Sequence, residues 1–330
     1  MAELLFVYSR PARFVTIDRD LLAERWQLRE WSQPGRWANP LAVLRAVRRA
    51  DAVVGWFASW HTFWPITIAW LLRKPSLLIV GGFDTAALPE IGYGYQAGGI
   101  ARPLSRWIMR RARRLMTNSE YSREELLRNV GLTAEVVHHG VPDLPGTTTA
   151  GERERLALTV ANVARISLER KGLVAFVEAA AHASDVSFVL VGAWLDDAAH
   201  ELRGRAGPNV TLAGSVSDEE LARLYRTAGA YVQASRHEGF GMAVAEAMLA
   251  GCVPVVTRAG ALPEVVGDTG VYVESAEPGD VAAGVRRALE LGAEARHRAR
   301  ERVVERFPLE RRRKGLQRIV AEVLGEPSAG

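Results

Sequence analysis

The chain has a single cysteine, Cys252, in 330 residues. No intrachain disulfide and no cysteine-based metal cluster can form, which fits a reducing cytoplasm. Lysine is almost as scarce: Lys74, Lys171 and Lys314 stand against 39 arginines. Where arginine is the default cation, each lysine is worth following. The longest apolar run, Trp56 to Leu72, is broken by His61, Thr62, Pro65 and Thr67. It is short for a membrane span and reads as a buried strand end followed by a buried helix. The opening MAELLFVYSR has no basic leader before an apolar stretch, so no signal peptide is expected. Neither half has G-x-G-x-x-G after its first strand-like run, which argues against a nicotinamide-dependent oxidoreductase.

What is present is an ordinary globular composition, 48% hydrophobic and 24% charged. The net charge of +4 is uneven. Residues 1–150 carry 19 Lys+Arg against 13 Asp+Glu, and residues 151–330 carry 23 against 25. Much of the excess lies in ARPLSRWIMRRARRLM (101–116), six arginines interleaved with Trp107, Ile108, Met109 and Leu115. This is either a solvated helix face or a patch that meets an anionic membrane surface or a polyanionic acceptor. No nucleic-acid partner is expected. The expected location is the cytoplasm, at the inner face of the plasma membrane if that patch meets lipid.

Short apolar runs alternate with amphipathic stretches. Strands are expected at 4–8, 52–57, 77–81, 115–119 and 135–139, then at 156–162, 186–192, 210–214, 231–235, 253–257 and 271–274. Helices are expected near 38–50, 61–73, 99–112 and 121–129, then near 171–184, 218–228, 241–250, 279–292 and 294–306. Apolar runs each followed by a helical pattern indicate parallel strands covered on both faces. PDLPGTTTAGERER (142–155) has linker composition. The fold class is therefore α/β, with two doubly wound Rossmann-like domains facing a cleft. The first spans 1–145 and the second 156–308. The last helix, within 309–330, is expected to join the first. Ligands of such sheets sit beyond the carboxyl ends of the strands.

The richest stretch is HEGFGMAVAEAMLAG (237–251), where Glu238 and Glu246 stand eight positions apart. Gly239 and Gly241 remove Cβ atoms where strand turns into helix, so a ligand can approach the backbone. The first amides of that helix suit a phosphate, and carboxylates suit a sugar or ribose diol. The alternative is a capping Glu238 and a solvent-facing Glu246. Upstream, in NVARISLERKG (162–172), Arg165 and Lys171 flank a short loop after a strand. Two cations there suit a diphosphate. Asp18-Arg19-Asp20 has the spacing of a metal-binding pair of acids, but lies in an early polar stretch. It reads as structural or surface, and no essential metal is expected.

These residues resemble the family 4 retaining glycosyltransferases, whose two-domain fold is called GT-B. The likeness rests on NVARISLERKG, on the stretch from GSVSDEELARLYR through SRHEGFGMAVAEAMLAG to ALPEVVGD (214–268), and on HHGVPD (138–143). It covers 157–306 strongly and 1–135 weakly. The resemblance implies that Arg165 and Lys171 bind the diphosphate of a UDP- or GDP-linked donor. Glu238 would bond the donor sugar, and the amides of Gly239, Phe240 and Gly241 would contact sugar and phosphate. Glu246 would hold the ribose, and the backbone around Val216 would receive the base. It further implies a hexosyltransferase acting with retention by front-face attack, needing no cofactor or metal. The acceptor would be a hydroxyl of a glycolipid or polysaccharide precursor, bound by the first domain.

The first half departs from the family pattern. FVYSRPARFVTIDRD lacks a glycine-rich loop, and LLIVGGFDTAALPEIGYGYQ (77–96) has Gly81, Gly82 and Asp84 where relatives often place a histidine. Acceptor-side candidates are His61, Gly82 and Asp84. His61 reads equally as a satisfied core residue, and Asp84 equally as a turn cap. Tyr93 and Tyr95 either stack on a sugar or pack, and Ser119 either borders the donor or caps a helix. A same-fold nucleotide-sugar epimerase or hydrolase, or a non-catalytic carbohydrate- or lipid-binding module, are the competing readings.

Overall fold

The computed structural model describes residues 1–143 and 152–326. The chain forms two compact units, residues 1–140 with the chain from Leu309 onward, and Val141–Pro308. The linker expected at 142–155 lies for the most part outside the described residues.

The first unit holds six parallel strands: β1 (Glu3–Tyr8), β2 (Gln27–Ser32), β3 (Ala52–Trp56), β4 (Ser76–Ile79), β5 (Arg114–Thr117) and β6 (Glu135–Val136). Their order is β2-β1-β3-β4-β5-β6. The strands are apolar without alternation because both faces are covered. Leu4 and Phe6 pack with the helix Leu309–Leu324 on one side, through Leu316, Ile319, Val320 and Val323. Leu5 and Val7 pack on the other side with Val43, Val47 and Ile66. Each fully buried aliphatic side chain is worth about 1.5–3 kcal/mol relative to exposure.

Two elements here escape the apolar-run reading. One is β2, QLREWS, whose residues are exposed or half-buried because it is the edge strand. The other is the helix Arg13–Ala23, which contains the acidic pair read above as a polar stretch. Asp18 is buried there and paired with Arg312: Nη2 to Oδ2 is 2.6 Å and Nε to Oδ1 is 2.8 Å. Arg312 also donates to the Val137 carbonyl at 2.5 Å. This buried fork pins the C-terminal helix to the first unit. Asp20 instead pairs with its neighbour Arg19 at the surface. The two acids are thus divided between the interior and solvent. Among the described residues no group of three or more His, Cys, Asp or Glu is arranged to hold a metal ion.

The second unit repeats the design with β7 (Glu154–Val160), β8 (Ser187–Val191), β9 (Val210–Gly214), β10 (Ala228–Gln233), β11 (Val253–Val256) and β12 (Val271–Tyr272). All pairs are parallel, in the order β12-β11-β10-β7-β8-β9. The order reverses between β7 and β10, so the loops leaving those two strands diverge to opposite faces of the sheet. That is where an open α/β sheet has a crevice. The helices Ala198–Arg205 and Leu262–Val266 and the short helix Arg165–Arg170 are additional to those expected from the sequence. No helix among the described residues is long and apolar enough to cross a membrane.

Candidate functional site

Both segments singled out in the second half leave the sheet at this reversal. NVARISLERKG follows β7, and SRHEGFG follows β10. The first is not the loop expected. Arg165–Arg170 is a short helix, with Arg165 as its first residue and Lys171 just beyond its end. The Asp196 carboxylate accepts from the Arg165 amide at 2.8 Å and so supplies the missing partner at the helix start.

The two segments are held against each other by backbone. The Arg236 amide donates to the Arg170 carbonyl at 2.9 Å. Gly172 has φ +67°, and a Cβ there would lie 2.1 Å from the Ala234 carbonyl oxygen. Only glycine allows the chain after Lys171 to turn against the end of β10. Gly260, at φ +61°, does the same for the loop after β11. Its Cβ would lie 2.2 Å from the Glu238 oxygen, and the Ala261 amide donates to that oxygen at 2.8 Å.

This packing brings the Lys171 ammonium onto the Glu238 carboxylate as an ion pair. Their side chains are 19% and 13% exposed, enough for a ligand to reach and too little for water to solvate both. Burial pulls Lys171 below the usual lysine range, although Glu238 opposes it. Burial pushes Glu238 upward, but Lys171 and then Arg170 outweigh it and hold the carboxyl below its ordinary value. Gln233, at the end of β10, donates to Glu238 Oε2 at 3.1 Å and to Ser235 Oγ at 2.7 Å. The Tyr231 hydroxyl donates in turn to Gln233 Oε1 at 3.2 Å. Tyr231 also accepts from the Val160 amide at 3.3 Å, so a chain of polar contacts runs from β7 through β10 to the acid.

Glu246 is not a solvent-facing helix residue. It is buried in the helix Met242–Leu249, and its Oε2 accepts from the Tyr225 hydroxyl at 3.3 Å. Glu238 does not cap that helix: the cap position is Gly241, at φ +101°, with no side-chain capping bond. Burial, followed by the charges of Glu238 and Glu246, raises the Tyr231 hydroxyl above its ordinary value. Both acids therefore lie within electrostatic reach of one phenol. Phe240 turns its ring into the core against Phe307, with centroids 5.2 Å apart. Gly239 and Gly241 stand on either side of it, and the first amides of the helix Met242–Leu249 follow.

Arg165 is placed differently. Its guanidinium is 61% exposed and pairs with Asp197 at 2.9 Å and Glu201 at 3.2 Å. Val216 lies half-buried in the loop after β9, against the core cluster that holds Val244 and Leu262.

In the first unit, His61 is buried and one ring nitrogen lies 2.6 Å from the Trp56 carbonyl. Burial lowers its pKa. Asp84 is buried as well, and its two oxygens accept from the amides of Ala58, at 2.8 Å, and Gly81, at 2.9 Å. It ties the end of β3 to the end of β4. Burial raises its carboxyl to about 7 against the pull of those amides, and the charge of Glu125 adds to the rise. Gly82, at φ +74°, starts the tight turn that returns Asp84 to these amides. Tyr95 meets Ser59 at 2.8 Å, and Ser119 caps the helix Glu120–Val130. These geometries fill the structural alternatives for His61, Asp84 and Ser119.

Sequence reasoning passed over Gln233, Tyr231 and Tyr225. The available signal was a glutamine ending the otherwise apolar strand AGAYVQ. A polar residue buried at the carboxyl end of a central strand needs a partner.

Residues 152–306 match the family model described as glycosyl transferases group 1, and residues 8–143 match that of glycosyltransferase family 4. The chain is 41% identical over 90 residues to O-antigen chain mannosyltransferase B of Escherichia coli, covering 27% of this chain and 23% of that protein. It is 44% identical over 72 residues to an MMP alpha-(1→4)-mannosyltransferase of Mycolicibacterium hassiacum, covering 22% and 18%. The matches thus span about a quarter or less of the length of these curated relatives. Among solved structures, Anabaena HepE in complex with UDP and glucose superposes with a TM-score of 0.77 at 17% identity, over 98% of this chain and 100% of that one. Sucrose-phosphate synthase of Thermosynechococcus elongatus gives a TM-score of 0.77 at 16% identity, over 98% and 100%. At such identities the likeness is one of fold, that of two Rossmann-like domains. Together these two glycosyltransferase models cover most of the chain, which belongs to the family 4 glycosyltransferases.

Proposed function

We propose that the protein transfers a hexosyl group, with retention of anomeric configuration, from a UDP- or GDP-linked sugar to a hydroxyl acceptor. The observation that carries this reading is the Lys171–Glu238 pair at the strand-order reversal, beside the start of the helix Met242–Leu249. A diphosphate takes the ammonium and the helical amides, while sugar hydroxyls take the carboxylate. Glu246 accepts from the ribose. Arg165 leaves Asp197 and Glu201 to join Lys171 on the departing diphosphate. The bond from anomeric carbon to phosphate oxygen breaks, the acceptor oxygen bonds that carbon from the same face, and its proton passes to the departing phosphate. The charge that develops on the leaving group is met by side chains, so the reaction runs without a resident metal. The acceptor is a saccharide or a lipid-linked saccharide precursor. UDP and glucose in the HepE complex, and the mannosyltransferase relatives, support a nucleotide-sugar donor.

The test is a thermal-shift screen of UDP-, GDP- and ADP-sugars, followed by transfer to a panel of hydroxyl acceptors with and without a chelator. A ligand at about a hundred times its dissociation constant stabilises by about 2.7 kcal/mol. The expected result is stabilisation by one nucleotide family and a chelator-insensitive product with the donor's anomeric configuration. Release of free or epimerised sugar with every acceptor would point to the hydrolase or epimerase instead.

A further inference from the structure

The arginine-rich segment of the first unit is organised around two tryptophans. Trp70, near the end of the helix Trp60–Leu71, and Trp107, on the helix Ala101–Arg111, meet edge to face with centroids 6.2 Å apart. The Arg111 guanidinium lies over both rings, 4.4 Å from one centroid and 4.2 Å from the other. Its Nε is buried and has no hydrogen-bond partner among the described residues. One hollow beside this stack is lined by Trp70, Leu71, Arg73, Arg110 and Arg113, and a second by Arg102, Pro103, Arg106 and Trp107.

Part of the charge is structural. Arg106 donates to Gln96 at 2.9 Å and to the Asn129 carbonyl, and Lys74 donates to the Arg48 carbonyl at 2.7 Å. The side chains of Arg73, Arg102, Arg113 and Arg114 have no acidic partner among the described residues, and none of the residues lining these two hollows is acidic. Glu135, which borders a third hollow beside Arg113 and Arg114, is itself paired with Arg318. Beside these cations the surface is apolar: Leu71 is 65% exposed and Ile100 74%, with Trp70 and Trp107 near two-fifths.

We propose that this face, carrying Trp70, Leu71, Trp107 and the arginines of 102–114, docks on an anionic lipid bilayer. A soluble polyanion satisfies arginines but gives exposed leucine and tryptophan no partner. A bilayer interface takes both, since Trp settles at headgroup level and cations meet the negative surface. Stacking on two rings keeps the Arg111 charge at the surface beside the aromatics, as amphipathic interfacial anchors require. The proposal stands apart from the sugar-transfer reading, because it needs neither donor nor acceptor.

Co-sedimentation of the full chain with vesicles tests it. Vesicles of phosphatidylcholine alone are compared with vesicles containing about a third phosphatidylglycerol. The wild type is expected to pellet with the anionic vesicles only, and added salt to weaken but not abolish the binding. Arg102→Gln/Arg113→Gln/Arg114→Gln, which spares the stacked Arg111, is expected to lower the partition by about tenfold or more while thermal unfolding is unchanged. Leu71→Ser is expected to remove the salt-resistant part. Equal binding to neutral vesicles, wild-type binding by the triple variant, or retention on immobilised polyphosphate with no vesicle binding would each overturn it.

Discussion

Lys171 and Glu238, 67 positions apart, meet as an ion pair at the point where the strand order of the second sheet reverses. Each holds the other's charge in a place that water reaches poorly. Lys171→Ala and Glu238→Ala are each expected to abolish transfer while the chain stays folded. Removing one partner of a fully buried pair costs about 3–5 kcal/mol, and with partial exposure about 2–3 kcal/mol is expected here. The double variant should lose clearly less than the sum of the singles, because no charge is then stranded. Denaturant unfolding of the four proteins measures this. Strict additivity would show that the two side chains are not coupled.

Gln233 bonds the Glu238 carboxylate directly. Gln233→Leu keeps the volume but removes the donor to Glu238 Oε2 and the acceptor of the Tyr231 hydroxyl. A fall in kcat/KM of about tenfold is expected, in line with about 1–3 kcal/mol for a lost partner of a charged or buried group. Without that donor the Glu238 carboxyl rises, so the acid limb of the pH profile should move to higher pH. Gln233→Glu should do worse by placing a second acid beside the first. An unshifted acid limb in Gln233→Leu would leave the residue a merely structural role.

Arg312 and Asp18 are both below 2% exposed, so neither can be hydrated once the other is gone. Arg312→Leu and Asp18→Leu should each destabilise the protein by about 3–5 kcal/mol. The double substitution should recover much of the loss. Thermal unfolding of the three variants checks this. A single variant with wild-type stability would mean that the C-terminal helix is held by its apolar face alone.

Asp84 supplies a pH dependence. Its folded-state value is raised from 3.8 to about 7, so the folded protein holds this proton more tightly than the unfolded chain does. The stabilisation is full below the unfolded value and is lost as pH rises through about 7. Stability of the wild type should therefore fall relative to Asp84→Asn between about pH 4 and about pH 7. Melting temperatures of the two proteins across that range provide the comparison. Parallel curves would remove the effect.

The strands at 4–8, 52–57 and 253–257 were legible because a parallel strand covered on both faces is apolar throughout. The edge strand QLREWS was not, since one neighbour and half-exposed faces leave it without a pattern. The helix Arg13–Ala23 was hidden by Asp18, which occupies a core-facing position beside Val15, Leu21 and Leu22. Its charge is explained only by Arg312, 294 positions later. At the site, Lys171 and Glu238 were legible as candidates because a scarce lysine and an acid beyond strand ends have few bland uses, and the fold pairs them. The present partners of Arg165 could not, because Asp197 and Glu201 come together with it only through folding. Similarly, His61 follows a strand end in sequence, yet its ring turns back to the Trp56 carbonyl.

The most direct measurement is a crystal structure of the protein with its stabilising nucleotide sugar bound. The account predicts a diphosphate on the Lys171 ammonium and the first amides of the helix Met242–Leu249, a sugar hydroxyl on Glu238 and the ribose on Glu246. A donor bound elsewhere, with Lys171 and Glu238 still paired to each other, would contradict it.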